Sequence, residues 1–361
     1  MLDRPIERTE NFLRQLAAET AAGGRLTTVR ECMRLNGVSK VVVDRAVAKL
    51  HGEKVLEVRP RSGLYKPLPA KSRKRNIHVL HYSTNSALYG ERQSAINFHG
   101  ELLLELNLTM ARQGWCPMIN MMAYEENQEA VIDQLIADQA DVVVMFCLDY
   151  EHFQHLQRLE GSGVKVYNVL PNMVESLPRT LRLDDADIVR QQLEHLMARG
   201  CRRVAYLHSC GPTSYNRAHD VRLEAFYRLA LELRLEVAPG WIGETGWQED
   251  EIVATVGRML RDGGNFEGIA INDGHVKGVY AALRRHGLEP GRDVAVIGCD
   301  DMPWAQYMDP ALSSIRVSRH VIAGKVCEMI AADSDASAVV PNVLVERAST
   351  AIMTGITLNM K

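Results

Sequence analysis

Large aromatic side chains are scarce in this chain: 6 Phe and 4 Trp among 361 residues. Its cores must therefore be built mainly from Leu, Val, Ile, Ala and Met. The seven cysteines, at 32, 116, 147, 201, 210, 299 and 327, are scattered, odd in number and never spaced Cys-x-x-Cys. That argues against a disulfide framework or a zinc site and fits a reducing cytosol. No apolar run reaches the ~18 residues expected of a membrane helix. The opening MLDRPIERTE lacks the apolar core of a signal peptide. Missing too are Gly-x-Gly-x-x-Gly and Walker sequences, so neither a dinucleotide nor a nucleoside triphosphate is expected. No Gly-x-Ser-x-Gly elbow or His-Glu-x-x-His helix supplies a nucleophile or a metal, so catalytic residues, cofactor and metal are all expected to be absent.

What is present is ordinary globular composition, 46% hydrophobic and 24% charged, in a chain long enough for two or three domains. The charge is unevenly placed. Residues 1–76 hold 17 Lys and Arg against 8 Asp and Glu, a net of +9, whereas the whole chain is −3, so the remainder is −12. A basic head on an acidic body points to a polyanion met by the head alone. A basic surface without a partner is the plainer alternative.

The head has a legible order. An amphipathic segment, 6–21, precedes TTVRECMRLN, where Thr28 and Glu31 have capping-box spacing and Gly37 can end the helix. Ser39 can cap a second helix, KVVVDRAVAKLHG, with Val43, Ala46, Val47 and Leu50 on one apolar face. Two short strands, 55–58 and 64–65, then flank a PRSG turn. Helix, turn, helix and hairpin predict a winged helix-turn-helix over 1–66. Residues 67–76 form a basic, proline-containing linker.

This head resembles the GntR-type DNA-binding domain through TVRECMRLNGVSKVVVDRAVAKLHGEKVLEVRPRSGLY. The resemblance implies a second helix in the major groove and a wing on the adjacent backbone. It nominates Arg30, Ser39, Lys40, Arg45, Arg59, Arg61 and Gly63 as DNA contacts. Arginine and lysine neutralise phosphate, and glycine lets backbone approach the sugar-phosphate chain. Two residues depart from that pattern. Val42 replaces a usual threonine and could meet a thymine methyl instead, and Asp44 would repel phosphate unless it accepts a hydrogen bond from cytosine or orients Lys40 or Arg45.

From residue 77 short apolar runs alternate with amphipathic segments, as expected of parallel sheets covered on both faces. Strands are expected at 77–82, 117–123, 141–148, 165–170, 203–209, 266–272 and 293–300, and helices at 94–113, 127–139, 187–199, 218–234, 248–262 and 275–286. The expected fold class is α/β: a winged helix-turn-helix followed by a two-lobed, doubly wound, periplasmic-binding-protein-like sensor domain. The first lobe is expected at about 77–178 and 316–335, the second at 179–315 and 336–361. Ligands of open α/β sheets sit beyond the carboxyl ends of the strands.

The body resembles LacI-type ligand-binding cores, most clearly through IAINDGHVKGVYAALRRHGLEPGRDVAVIGCDDMPWAQYMDPALSSI. The resemblance implies that Arg222, Asp300 and Asn272 face a small effector, with Asp149 and Tyr82 from the first lobe. An arginine fork and a carboxylate can each bind adjacent sugar hydroxyls. Trp304 is balanced between stacking on a sugar ring and packing against its lobe, whereas Trp247 is expected in the core. Asp273 and Asp301 are expected to cap the helices after them. His208, His219 and His275 share no metal-ligand spacing and are expected in loops or at the surface. Asp300 and Asp301, adjacent on an extended strand, would point to opposite faces and make a poor acid/base pair.

The whole is expected to be a cytoplasmic, ligand-responsive transcriptional regulator, a repressor by its resemblance. It would be a homodimer on a palindromic double-stranded DNA operator, under a carbohydrate or related polyhydroxy effector, with no membrane partner. The alternatives are a sensor whose head has lost DNA function and, less favoured, an enzyme on the two-lobed fold.

Overall fold

The computed structural model describes residues 3–20, 24–53, 55–59, 62–66, 75–82, 98–122, 127–172, 177–209 and 217–351. The chain divides into two compact units, residues 1–75 and 76–361.

In the first unit, α1 (Asp3–Glu19) precedes β1 (Arg25–Thr27), α2 (Val29–Asn36), α3 (Lys40–Gly52), β2 (Glu57–Arg59) and β3 (Gly63–Tyr65). The capping box at Thr28 and Glu31 forms in both directions, and Gly37 ends α2 in the left-handed conformation. Ser39 stands at the N-cap of α3 but makes no side-chain capping bond, contrary to expectation. The sheet order is β1-β3-β2, antiparallel throughout; β1 had no sequence signal. Leu13, Cys32, Val43, Val47, Leu50, Leu56 and Leu64 make the core. Lys49 pairs with Glu10 at 2.7 Å and ties α3 to α1.

Gly63 has a structural reason beside the expected contact one. At φ +125° a Cβ would meet the Thr27 carbonyl oxygen at 2.8 Å, so only glycine lets β3 lie against β1.

The second unit contains two six-stranded sheets. Its chain order runs β4 (Ile77–Tyr82), α4 (Phe98–Arg112), β5 (Met118–Met122), α5 (Gln128–Ala137), β6 (Val142–Phe146), α6 (Phe153–Gly161), β7 (Lys165–Val169) and β8 (Thr180–Leu183). It continues through α7 (Asp185–Ala198), β9 (Val204–Ser209), α8 (Arg217–Glu232), β10 (Ile242–Thr245), α9 (Glu249–Arg261), β11 (Gly268–Ala270), α10 (Val276–Arg285) and β12 (Ala295–Asp300). The last elements are β13 (Ser313–Val317), α11 (Arg319–Ala331), β14 (Ala338–Val340) and β15 (Asn342–Val345).

The first sheet is ordered β14-β8-β7-β6-β4-β5 and is parallel throughout. The second is β10-β9-β11-β12-β13-β15, with only the β13–β15 pair antiparallel. Fully buried strands such as β4, β6 and β9 follow from helices on both faces.

Sheet membership moves the expected lobe boundaries. Thr180–Leu183 and Ala338–Val340 pair in the first sheet, whereas 179–315 and 336–361 had been assigned to the second lobe. Arg316 and Val317 belong to β13 of the second sheet, so that crossing also shifts, to Ser318. The chain therefore passes between lobes at Asp184, Ser318 and Pro341. After the second passage α11 lies on the first lobe, where the Tyr167 hydroxyl donates to the Met329 carbonyl at 3.2 Å.

Candidate functional site

The carboxyl ends of β9, β11 and β12 bring polar groups to one edge of the second sheet. Ser209 ends β9, Asn272 follows β11, and Asp300 ends β12. Arg222 on α8 is buried among them. Its Nε donates to Asp185 Oδ1 at 2.8 Å and its Nη1 to Asn272 Oδ1 at 3.0 Å. Asn272 Nδ2 donates to Ser209 Oγ at 2.7 Å, and that hydroxyl meets His275 Nε2 at 3.2 Å. The His275 ring stacks on Trp247, centroids 4.6 Å apart, and the His219 ring meets the same indole edge-on at 5.8 Å. Fixed donors are thus held in one arrangement before a ligand arrives.

Asp300 is unusual twice over. Its φ of 109° lies where side chains are strained. Burial raises its carboxyl pKa, against the opposing pull of Arg222 and then Arg319. The Cys299 thiol donates to its Oδ1 at 3.6 Å. Asp301 follows at φ 47°, so the pair is not the extended strand end that the sequence implies.

Several expectations are corrected here. Asp273 caps no helix: it is wholly buried, accepting from Met302 N at 2.8 Å and Ser314 Oγ at 2.7 Å. Gly298 leaves the space its carboxylate fills, because a Cβ there would collide with Asp273 Oδ1. Burial, with the Asp300 charge second, holds the Asp273 carboxyl well above the usual carboxylate range. Asp301 is no cap either, pairing with Arg316 at 2.6 Å and Arg347 at 2.7 Å. His208 and His275 are buried rather than at the surface, and burial pulls His275 down to about 3. Trp247 joins the histidines of this network instead of the lobe core. Trp304 packs against the core cluster around Ile269 and Val296.

The first-lobe candidates form a separate cluster. The Tyr82 hydroxyl meets His155 Nδ1 at 2.9 Å, and its ring lies on His152 at 4.2 Å. Asp149 holds His152 Nδ1 at 2.6 Å. Among the described residues no hydrogen bond or ion pair joins Tyr82 or Asp149 to Arg222. Sequence reasoning missed Asp185 and Arg319. Arg319 donates to the Asp300 carbonyl at 2.5 Å, pairs with Glu101 on α4 at 3.0 Å and lies over Phe98. No cluster of three or more His, Cys, Asp or Glu suited to a metal occurs among the described residues. No helix among them is long and apolar enough to cross a membrane.

In the head, Arg30 and Arg45 are exposed. Lys40 pairs with Asp44 at 2.7 Å, and Arg59 lies over the Tyr65 ring at 4.2 Å. Val42 is only 4% exposed, so its methyls pack inward and cannot meet a base, contrary to expectation. Arg61 lies outside the described residues, as does most of the linker.

The description "Periplasmic binding protein-like domain" matches residues 193–350. The chain is 24% identical over 314 residues to the HTH-type transcriptional regulator GalS of Salmonella typhimurium, covering 81% of this chain and 85% of that one. It is 24% identical over 315 residues to the HTH-type transcriptional repressor PurR of Vibrio cholerae, covering 84% and 90%. These curated relatives are transcriptional regulators, not enzymes. A LacI-family regulatory protein from Chloroflexus aggregans superposes with a TM-score of 0.65 at 22% identity, covering 75% of this chain and 98% of that one. The regulator CelR, in complex with cellobiose, superposes with a TM-score of 0.63 at 19% identity, covering 94% and 99%. The α/β two-lobed fold is thus that of LacI-type regulators, and the relatives named here lend no support to a GntR-type head.

Proposed function

We propose that this chain is a ligand-responsive transcriptional repressor, cytoplasmic and homodimeric, whose second unit captures a carbohydrate or related polyhydroxy effector. The observation that carries the reading is the relay Asp185–Arg222–Asn272–Ser209–His275, set beside the strained, half-buried carboxylate of Asp300. An immobilised guanidinium and a carboxylate match vicinal hydroxyls, which donate to one and accept from the other. Holding Asp300 in a costly backbone conformation is the kind of strain that ligand sites carry.

The head, residues 1–66, is a winged helix-turn-helix of the GntR type on this reading, supported by the order of α2, α3 and the β2–β3 hairpin. Arg30 and Arg45 neutralise phosphates, with Ser39, Lys40, Arg59, Arg61 and Gly63 completing the contact set. Two heads of a dimer meet half-sites about 10 bp apart or a multiple of it. Effector shifts the operator affinity only if it binds the two lobe arrangements unequally.

The test is selection of the purified chain against fragmented genomic DNA at two salt concentrations. The expected result is a two-fold-symmetric site whose affinity falls steeply with salt. A second reading, a sensor without DNA function, draws on the Lys40–Asp44 pair, which cancels charge on α3. It predicts no enriched site and unchanged capture of sugars by the second unit.

A further inference from the structure

The face of α3 opposite its core side has an apolar centre. Val42, Val43, Ala46, Val47 and Leu50 are buried. The stripe directly opposite, at i, i+3, i+4 and i+7, is Val41, Asp44, Arg45 and Ala48, all exposed. Val41 is 59% exposed. Beside it the Lys40 ammonium is held by Asp44 at 2.7 Å, so the charge on that flank is cancelled. Arg45 on the other flank has no acidic partner among the described residues. Valine is a poorer helix former than alanine and stays mostly exposed here, so neither helix propensity nor packing into the core accounts for it.

In the major groove an exposed aliphatic group distinguishes one feature, the C5-methyl of thymine. We infer that Val41 is a specificity-determining residue that reads a thymine methyl in each operator half-site. This rests on the DNA-binding reading of the head. Arg45, one turn along the helix from Val41, is placed for the phosphates that fix the register, while Val41 and Ala48 face the base edges.

The experiment uses the full chain. A random duplex library is enriched for the bound site, and each thymine of that site is then replaced singly by deoxyuridine, which removes only the methyl. One thymine per half-site is expected to show about fourfold weaker binding on replacement, the worth of one buried methyl. In Val41→Ala the same replacement is expected to change nothing. Alanine is the better helix former, so the variant keeps the fold, and thermal melting by circular dichroism checks that it does. If deoxyuridine is tolerated at every position, or weakens Val41→Ala as much as the parent, the Val41 assignment falls and the DNA-binding reading stands. If no duplex is enriched at all, both fall together.

Discussion

Arg319 sits at the start of α11 on the first lobe, yet its guanidinium donates to the main-chain carbonyl of Asp300 on the second, at 2.5 Å. The same group holds Glu101 of α4 at 3.0 Å. One side chain thus joins the strained Asp300 to a first-lobe helix. Glu101 is half-buried, so Arg319→Ala strands a carboxylate as well as removing hydrogen bonds. The expected cost is about 2–3 kcal/mol in urea unfolding. Arg319→Lys keeps the charge without the fork and should recover only part of it.

Asp300→Asn should raise stability and abolish effector capture together. Burial raises the Asp300 pKa, so its ionised form is disfavoured in the folded state. The sign follows: wild-type stability increases as pH falls from neutrality through the raised pKa, because the folded state takes up the proton first. The Asn variant lacks that increase. Urea midpoints compared between neutral and mildly acidic pH separate the two proteins, and equal slopes would contradict the assignment.

His275 acts in the opposite direction. Its folded value near 3 lies below the ordinary 6.5, so the unfolded chain binds the proton more tightly. Stability is lost as pH falls below about 6.5, by about 1.4 kcal/mol per pH unit for each such histidine. His275→Gln can still accept from Ser209 and should flatten the acid limb by that slope. Unfolding midpoints at several acidic pH values measure it.

Gly63→Ala should cost about 1–3 kcal/mol, because the positive φ and the Thr27 carbonyl both oppose a Cβ. Gly37→Ala, with the same handedness but open space around it, should cost only about 1 kcal/mol. Amide hydrogen exchange of the head in the full chain distinguishes the pair.

Arg45→Ala and Arg30→Ala should each weaken operator and random DNA alike, lowering the salt slope by about one. Titrations at several salt concentrations check this, and a loss confined to one base position would reassign the residue.

The long apolar strands were legible because burial on both faces leaves no alternation to confuse. Ile77–Tyr82 and Val204–Ser209 fall within one residue of the expected bounds. Short strands such as Thr180–Leu183 and Ser313–Val317 were not. Their polar residues are accepted only because partners distant in sequence complete the sheet. At the site, Arg222, Asn272 and Asp300 were found from strand ends and resemblance. Asp185 was not, since it matters through a hydrogen bond to a residue 37 positions away. The histidines were misplaced for a related reason. A ring nitrogen tolerates burial when a hydroxyl such as Ser209 meets it, and local sequence carries no trace of that.

The chain crosses between the two sheets three times, so neither lobe is a continuous stretch of sequence. Neither can be inherited, exchanged or deleted as a cassette, because any single cut between β4 and β15 takes strands from at least one sheet. The cut at Arg75–Asn76 is different, for it leaves two units each with its own core. Recombination at that joint could re-address a sensor to new DNA without disturbing what it senses.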